Sequence, residues 1–264
     1  MTKFFEHIAI TGASSGIGAE LARHYAAPGV TLSLVGRDRE RLTEVAVFCE
    51  NAGAAVHAAL IDVTDREALA AFLLEQDREK PIDLLIANAG ISAGTGGVLH
   101  GEPADQVRKI FDVNLTGVLN TINPVLPEMV GRGRGQIALM SSLAGFRGWP
   151  GAPAYCASKA AVRVYGESLR GALGKTGVGV SVICPGFVES RMTAVNDFPM
   201  PFLMGAPQAA KIIARGLAND RGRISFPLRA AAFVWFISLL PDRIAQKLLK
   251  ATPPKKAQSD SNLS

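Results

Sequence analysis

The sequence holds only three cysteines, Cys49, Cys156 and Cys184, and no Cys-x-x-Cys pair. That excludes a disulfide scaffold. Its four histidines are scattered without ligand spacing, so no metal is expected. Long apolar runs are missing too: the longest, Ala230 to Leu240, spans 11 residues and contains Ser238, against about 20 for a membrane-spanning helix. The opening MTKFFEHIAITG enters a strand-like pattern with no room for a charged stretch followed by an apolar one. A Sec-type leader is therefore not expected, and the expected location is cytoplasmic. Internal repeats and low-complexity linkers are absent before residue 250.

What is present is a chain of 264 residues with 48% hydrophobic and 19% charged side chains, enough for an ordinary packed core and one large domain. The net charge of +5 is uneven. Residues 1–220 carry 20 basic and 21 acidic side chains, whereas residues 221–264 carry 8 basic and 2 acidic ones. The body is thus near neutral and no nucleic-acid partner is expected. After Pro253 the polar PKKAQSDSNLS is expected to be disordered.

Short β-branched runs alternate with longer segments of helical period. Strands are expected at His7–Thr11, Thr31–Val35, Ala55–Ile61, Asp83–Ala87, Gln136–Ser141, Val178–Cys184 and Arg223–Phe226. Helices are expected at Gly16–Ala27, Arg39–Ala52, Arg66–Arg78, Ala104–Val130 and Pro153–Lys175. Segments such as IDLLIANA and VGVSVICP are apolar without alternation, as strands covered on both faces are. The pattern predicts an α/β fold with a doubly wound parallel sheet, the Rossmann arrangement, over residues 1–227. A helical extension follows over 228–252, apolar and then basic.

Between the first strand and first helix lies TGASSGIG, with Gly12, Ser14, Ser15, Gly16, Ile17 and Gly18. Glycine lets such a turn take positive φ and lets backbone approach a pyrophosphate, which the helix N-terminus stabilises. A tight turn alone also selects glycine, so the βαβ context carries the reading. The end of the second strand then discriminates between dinucleotides. Gly36 stands where an acid would bind a ribose 2′-hydroxyl, and Arg37 follows it, which favours NADP over NAD. Alternatively, Arg37, Arg39 and Arg41 form a solvated helix start, with Asp38 as N-cap or ribose ligand. Asp62 and Val63 end the third strand, where a carboxylate can reach an adenine amino group. Asn88, Ala89 and Gly90 end the fourth, where small residues let a cofactor lie against the sheet.

Tyr155 and Lys159 are four residues apart, on one helical face. A tyrosine of pKa ~10 works as an acid-base group near neutrality only beside a cation, and Lys159 supplies one. Ser142 lies 13 residues before Tyr155, at the end of the fifth strand, and can hydrogen-bond a substrate carbonyl. Its neighbour Ser141 is read as structural. Cys156 is read as a small buried residue, and His100 as a solvated loop residue.

TGASSGIG, Asp62-Val63, ANAG from Ala87, Asn114 in VNLTG, SSLAG from Ser141, YCASK from Tyr155 and Pro185-Gly186 stand in this order. With them the chain resembles the short-chain dehydrogenase/reductase family in its single-domain form, over roughly residues 5–227. The resemblance implies that Asn114 kinks its helix and holds a water linking Lys159 to solvent. It implies that Ser142 orients a carbonyl, that Tyr155 gives the proton as hydride arrives, and that Lys159 also binds the nicotinamide ribose. Pro185, Gly186 and Val188 would border the nicotinamide. Ser190 stands where the family usually has a carboxamide-contacting threonine.

The stretch after Gly186 carries Phe187, Met192, Phe198, Met200, Phe202, Leu203 and Met204, an apolar lid to which Trp149 adds a wall. The same side chains could instead only pack the loop on the core. As a lid they favour an apolar ketone or secondary alcohol as the small-molecule partner. The extension departs from the family pattern, in which the chain ends soon after the seventh strand, so the expected homo-oligomer is a dimer rather than the family's tetramer. In its second helix Ile244, Ala245, Leu248 and Leu249 share one face. The extension could touch a membrane surface peripherally, close the pocket or join subunits. The sequence reading is thus an NADP-dependent oxidoreductase. Its rivals are a membrane-associated long-chain keto-lipid reductase and a dinucleotide-binding regulator without turnover.

Overall fold

The computed structural model describes residues 3–96 and 101–249. His100 and the segment 253–264 lie outside the described residues. Seven parallel strands form one sheet in the order β3-β2-β1-β4-β5-β6-β7. They are β1 His7–Thr11, β2 Thr31–Gly36, β3 Ala55–Leu60, β4 Leu84–Ala87, β5 Gly135–Met140, β6 Val178–Pro185 and β7 Arg223–Phe226. The central strands β1, β4 and β6 are buried throughout, whereas edge strand β3 is partly exposed along its length. Unbroken apolar runs therefore went to the middle of the sheet, as the pattern predicts.

Helices cover both faces. α1 (Gly16–Tyr25), α2 (Arg39–Asn51) and α9 (Ala206–Ala218) enclose one core around Ile8, Ile10, Leu32, Leu34 and Ile183. α3 (Arg66–Glu79), α5 (Gly117–Ile122), α6 (Leu126–Gly131) and α7 (Pro153–Ala172) enclose the other, around Leu69, Leu73, Leu85, Ile137 and Val162. Asp38 and Asp65 cap α2 and α3, each accepting a hydrogen bond from a backbone amide three residues on, at 3.0 and 3.1 Å. The sheet order reverses between β2 and β4 on either side of β1. That places a crevice at the carboxyl ends of β1 and β4, where ligands bind in such sheets.

Two segments differ from expectation. The single helix expected over 104–130 is α4 (Ala104–Phe111), a π-helical turn (Asp112–Thr116), α5 and α6. Pro124 separates the last two, since it can neither donate to the preceding turn nor clear its carbonyl. The π turn accommodates Asn114, whose side chain is drawn to the backbone of Ile91. α9 was not foreseen; its run of alanine and isoleucine follows a loop rich in proline and aromatics that hides its period. Short α8 (Arg191–Ala194) precedes it. Beyond β7 come α10 (Leu228–Leu239) and α11 (Asp242–Leu249). The shared face expected in α11 is divided: Ala245 and Leu249 are buried, whereas Ile244 and Leu248 are exposed.

Candidate active site

The turn after β1 is built by close approach. Gly12 has φ of +67°, and a Cβ there would lie 2.8 Å from the Ala89 Cα. A Cβ on Gly18 would lie 2.2 Å from the Gly12 carbonyl oxygen. Neither position admits another residue without backbone movement. Thr11 and Asn88 lock this turn to the end of β4. The Thr11 Oγ1 accepts from the amides of Asn88 (3.1 Å) and Ala89 (3.3 Å), and the Asn88 Nδ2 donates to the carbonyls of Thr11 (2.9 Å) and Gly12 (3.1 Å).

α1 begins just beyond. Its N-cap, Ser15, makes no side-chain capping bond, and the first turn holds no acid. The helix therefore presents free N–H groups and the positive end of its dipole to the crevice, the arrangement that takes a phosphate. Ser14 stands against Gly36, and Ile17 packs on the core beneath the turn. Across the crevice Ser190 faces Gly16, whose Cβ would lie 3.2 Å from the serine's Cβ. Ser190 and Thr193 satisfy each other reciprocally in a capping box at the start of α8. Val188 is bridged to Met204, and the Gly186 amide donates to the Phe226 carbonyl at 2.7 Å. These residues fit a dinucleotide: backbone donors for its pyrophosphate, and close backbone packing where its ring would lie.

At the carboxyl ends of β2 and β3 the Arg37 guanidinium pairs with the Asp62 carboxylate at 3.1 Å, both side chains more than a third exposed. Asp38 is the α2 cap and pairs with Arg41 at 2.7 Å, which bears out its N-cap reading. Burial acts to raise the Asp62 carboxyl, but bonds from the Thr64 amide and hydroxyl, together with Arg37, hold it below the usual carboxylate range. Val63 is buried against Gly117, and its carbonyl accepts from Asn120 Nδ2 at 3.0 Å.

The reactive side chains converge on the other side of β4. Tyr155 and Lys159 share a face of α7, and the phenol is hydrogen-bonded to the Ser142 hydroxyl. Burial pushes the phenol up to about 12 despite that bond. Burial also lowers the Lys159 ammonium to about 8. Its Nζ lies 5.9 Å from the centre of the Tyr155 ring and donates to the Met140 carbonyl at 2.9 Å. Desolvation is the largest influence on the phenol, ahead of the Ser142 bond that opposes it. Ser141 Oγ donates to the Lys159 carbonyl at 2.7 Å, the structural role read for it.

Asn114 is fully buried. Its Oδ1 accepts from the Ile91 amide (2.8 Å), and its Nδ2 donates to the Ile91 carbonyl (2.9 Å) and the Ser158 Oγ (3.0 Å). Ser158 in turn donates to the Tyr155 carbonyl at 2.8 Å. A side chain on Gly90 would press on both Asn114 Oδ1 and Lys159 Nζ, each 3.2 Å from its Cβ position. Sequence reasoning missed Ser158, although its place one turn after Tyr155 in YCASK was a signal. It also missed Glu102, whose carboxylate accepts from the Ala154 amide at 2.8 Å and so caps the start of α7 from a distant loop. That contact had no local signal.

The apolar loop is only partly folded on itself. Phe187 and Phe198 meet edge to face at 6.1 Å, while Phe202 and Leu203 are exposed. Trp149 is turned elsewhere: it packs with Val234 and Ile237 of α10 and with Ala245 of α11. The aromatic wall expected from it is instead part of the seam to the extension.

Comparison with known proteins agrees with this geometry. The sequence model of the short chain dehydrogenase family matches residues 6–198. An uncharacterized oxidoreductase of Myxococcus xanthus is 41% identical over 236 residues, covering 88% of this chain and 92% of that protein. Sulfoacetaldehyde reductase 2 of Chromohalobacter salexigens is 32% identical, covering 96% of each. Among solved structures, a short-chain dehydrogenase from Sphingobium yanoikuyae in complex with NADPH superposes with a TM-score of 0.78 at 28% identity, covering 97% of this chain and 99% of that one. A short chain dehydrogenase/reductase from Burkholderia phymatum in complex with NAD superposes with a TM-score of 0.80 at 25% identity, covering 96% and 98%. With a glycine turn at an open helix N-terminus and a Ser-Tyr-Lys cluster across the crevice, this chain belongs to the short-chain dehydrogenase family of oxidoreductases.

Proposed function

We propose that the protein interconverts an apolar ketone and its secondary alcohol with NADP, residues 1–227 forming the catalytic unit and 228–252 an extension. The observation that carries this reading is the convergence of Ser142, Tyr155 and Lys159 across the crevice from the uncapped N-terminus of α1. A bound nicotinamide supplies the hydride or accepts it. Ser142 orients the carbonyl oxygen toward the phenol. Tyr155, which burial keeps protonated at neutral pH, donates its proton to that oxygen. Lys159 holds a positive charge beside the phenolate so formed and binds the ribose hydroxyls, and Asn114 fixes the Ile91 backbone that closes this side. A protonated phenol at rest suits carbonyl reduction better than alcohol oxidation.

Gly12, Ser14, Ser15, Gly16, Ile17 and Gly18 would hold the pyrophosphate. Arg37 would take a 2′-phosphate, and Asp62 and Val63 would flank the adenine. Asn88, Ala89, Gly90, Pro185, Gly186, Val188 and Ser190 would border the nicotinamide half. The exposed apolar side chains of the Phe187–Met204 loop support an apolar substrate. The deciding experiment is a panel of aliphatic, aromatic and sulfonated carbonyl compounds, followed by NADPH and NADH absorbance. The proposal expects turnover with NADPH, highest for apolar carbonyls; a preference for NADH or for charged substrates overturns it.

A further inference from the structure

α10 turns an apolar face outward. At 100° per residue, Leu228, Ala232, Trp235, Phe236 and Leu239 fall on one side, with Phe233 at its margin. Trp235 and Phe236 are each 57% exposed and Leu239 is 63% exposed. The opposite side is anchored: Val234 packs with Leu143, Val182 and Cys184, and Ile237 with Ala245 and Leu249. This face is therefore a fixed surface of a docked helix. On α11, Ile244 and Leu248 stand one turn apart and are each 51% exposed.

Cations rim the patch. Arg229, Arg243 and Lys247 are exposed, and none forms an ion pair with a carboxylate among the described residues. The single acid of the two helices, Asp242, is engaged by Arg147 at 2.7 Å. The sequence beyond adds Lys250, Lys255 and Lys256 against Asp260. A contiguous apolar patch of this kind marks an interaction surface. A second copy meeting it face to face would bring these cations against their equivalents, with only Asp242, already paired with Arg147, to receive them. An anionic lipid surface answers both features, since Trp and Phe favour the bilayer interface and basic side chains are drawn to acidic headgroups.

We propose that the outer faces of α10 and α11 form a peripheral membrane-binding surface for anionic phospholipid, its aromatic side chains entering the interface and its basic rim meeting the headgroups. This binding is independent of turnover.

The test is co-sedimentation of the full-length protein with phosphatidylcholine vesicles, with and without phosphatidylglycerol. Expected are binding to the anionic vesicles, release at high salt and a blue shift of Trp235 fluorescence in a Trp149→Phe background. The double variant Trp235→Ser/Phe236→Ser should lose binding while keeping the wild-type Tm, because both side chains are exposed. Arg229→Gln/Arg243→Gln/Lys247→Gln should weaken anionic binding by on the order of 100-fold. Tyr155→Phe should bind as wild type does, which separates this proposal from the catalytic one. Absence of sedimentation, or equal binding to neutral and anionic vesicles, overturns it. So does a dimer in sedimentation velocity that the Trp235→Ser/Phe236→Ser variant dissolves, which would make the face a subunit contact.

Discussion

Arg37 and Asp62 face each other across the ends of β2 and β3, guanidinium to carboxylate at 3.1 Å. A 2′-phosphate bound here would compete with Asp62 for the same fork of donors. Because arginine-phosphate contacts are charge-assisted, Arg37→Ala should weaken NADPH about 10- to 100-fold and NADH by less than about 3-fold. Asp62→Asn, which frees Arg37, should raise the NADPH-over-NADH ratio. Fluorescence titration with both nucleotides checks this; equal losses for the two in Arg37→Ala would remove the residue from cofactor choice.

Tyr155→Phe keeps the ring and the nucleotide crevice but removes the proton donor. Turnover should fall at least ~100-fold with NADPH affinity little changed. Single-turnover kinetics beside a binding titration separates these quantities, and near-normal turnover would take Tyr155 out of the mechanism.

Lys159 loses its proton near 8 in the free protein rather than at 10.5, because burial disfavours its charge. A nucleotide that needs the ammonium should return the proton on binding. Nucleotide binding should therefore take up a proton between about pH 8 and 10.5 and weaken as pH rises through that window, with no uptake by Lys159 below it. Calorimetry in buffers of different ionisation enthalpy measures the uptake. Lys159→Met should abolish it.

Asn114→Ala would leave the half-buried amide and carbonyl of Ile91 without their partners. The expected cost is about 2–4 kcal/mol, read by urea denaturation. An unchanged midpoint would show that water replaces the amide.

The extension covers Leu143, the residue after Ser142, through Val234. Val234→Ala should cost about 1–3 kcal/mol. A chain ending at Pro227 would expose Leu143, Val182 and Cys184 together, so both its Tm and its turnover should fall. Retention of full activity by the shortened chain would show that the seam is dispensable for the site.

The alternation of apolar runs and helical segments was enough to name the sheet class. A strand covered on both faces has to be apolar or have its polar groups bonded: β4 is apolar throughout, and β6 is apolar but for Ser181, whose hydroxyl accepts from Gln136. The glycine turn, Tyr155 with Lys159 and Ser142 were legible because their chemistry depends on local spacing, fixed by a turn or by one helical repeat. What the sequence did not contain was set by contacts between distant segments. Pro124, visible in the sequence, divides the helix expected over 104–130, but the π turn within it was set by Asn114 binding the backbone of Ile91, 23 residues earlier. Trp149 packed against α10 and α11 instead of the substrate loop because Val234 and Ile237 fold back beside it. Burial raises the Tyr155 phenol and lowers the Lys159 ammonium, and no reading of Tyr-x-x-x-Lys includes that desolvation. Periodicity and spacing are properties of a single segment, and the sequence determined them. Desolvation, the partner of a buried amide and the exposed side of a docked helix depend on what packs against a segment, and only the tertiary structure decided those.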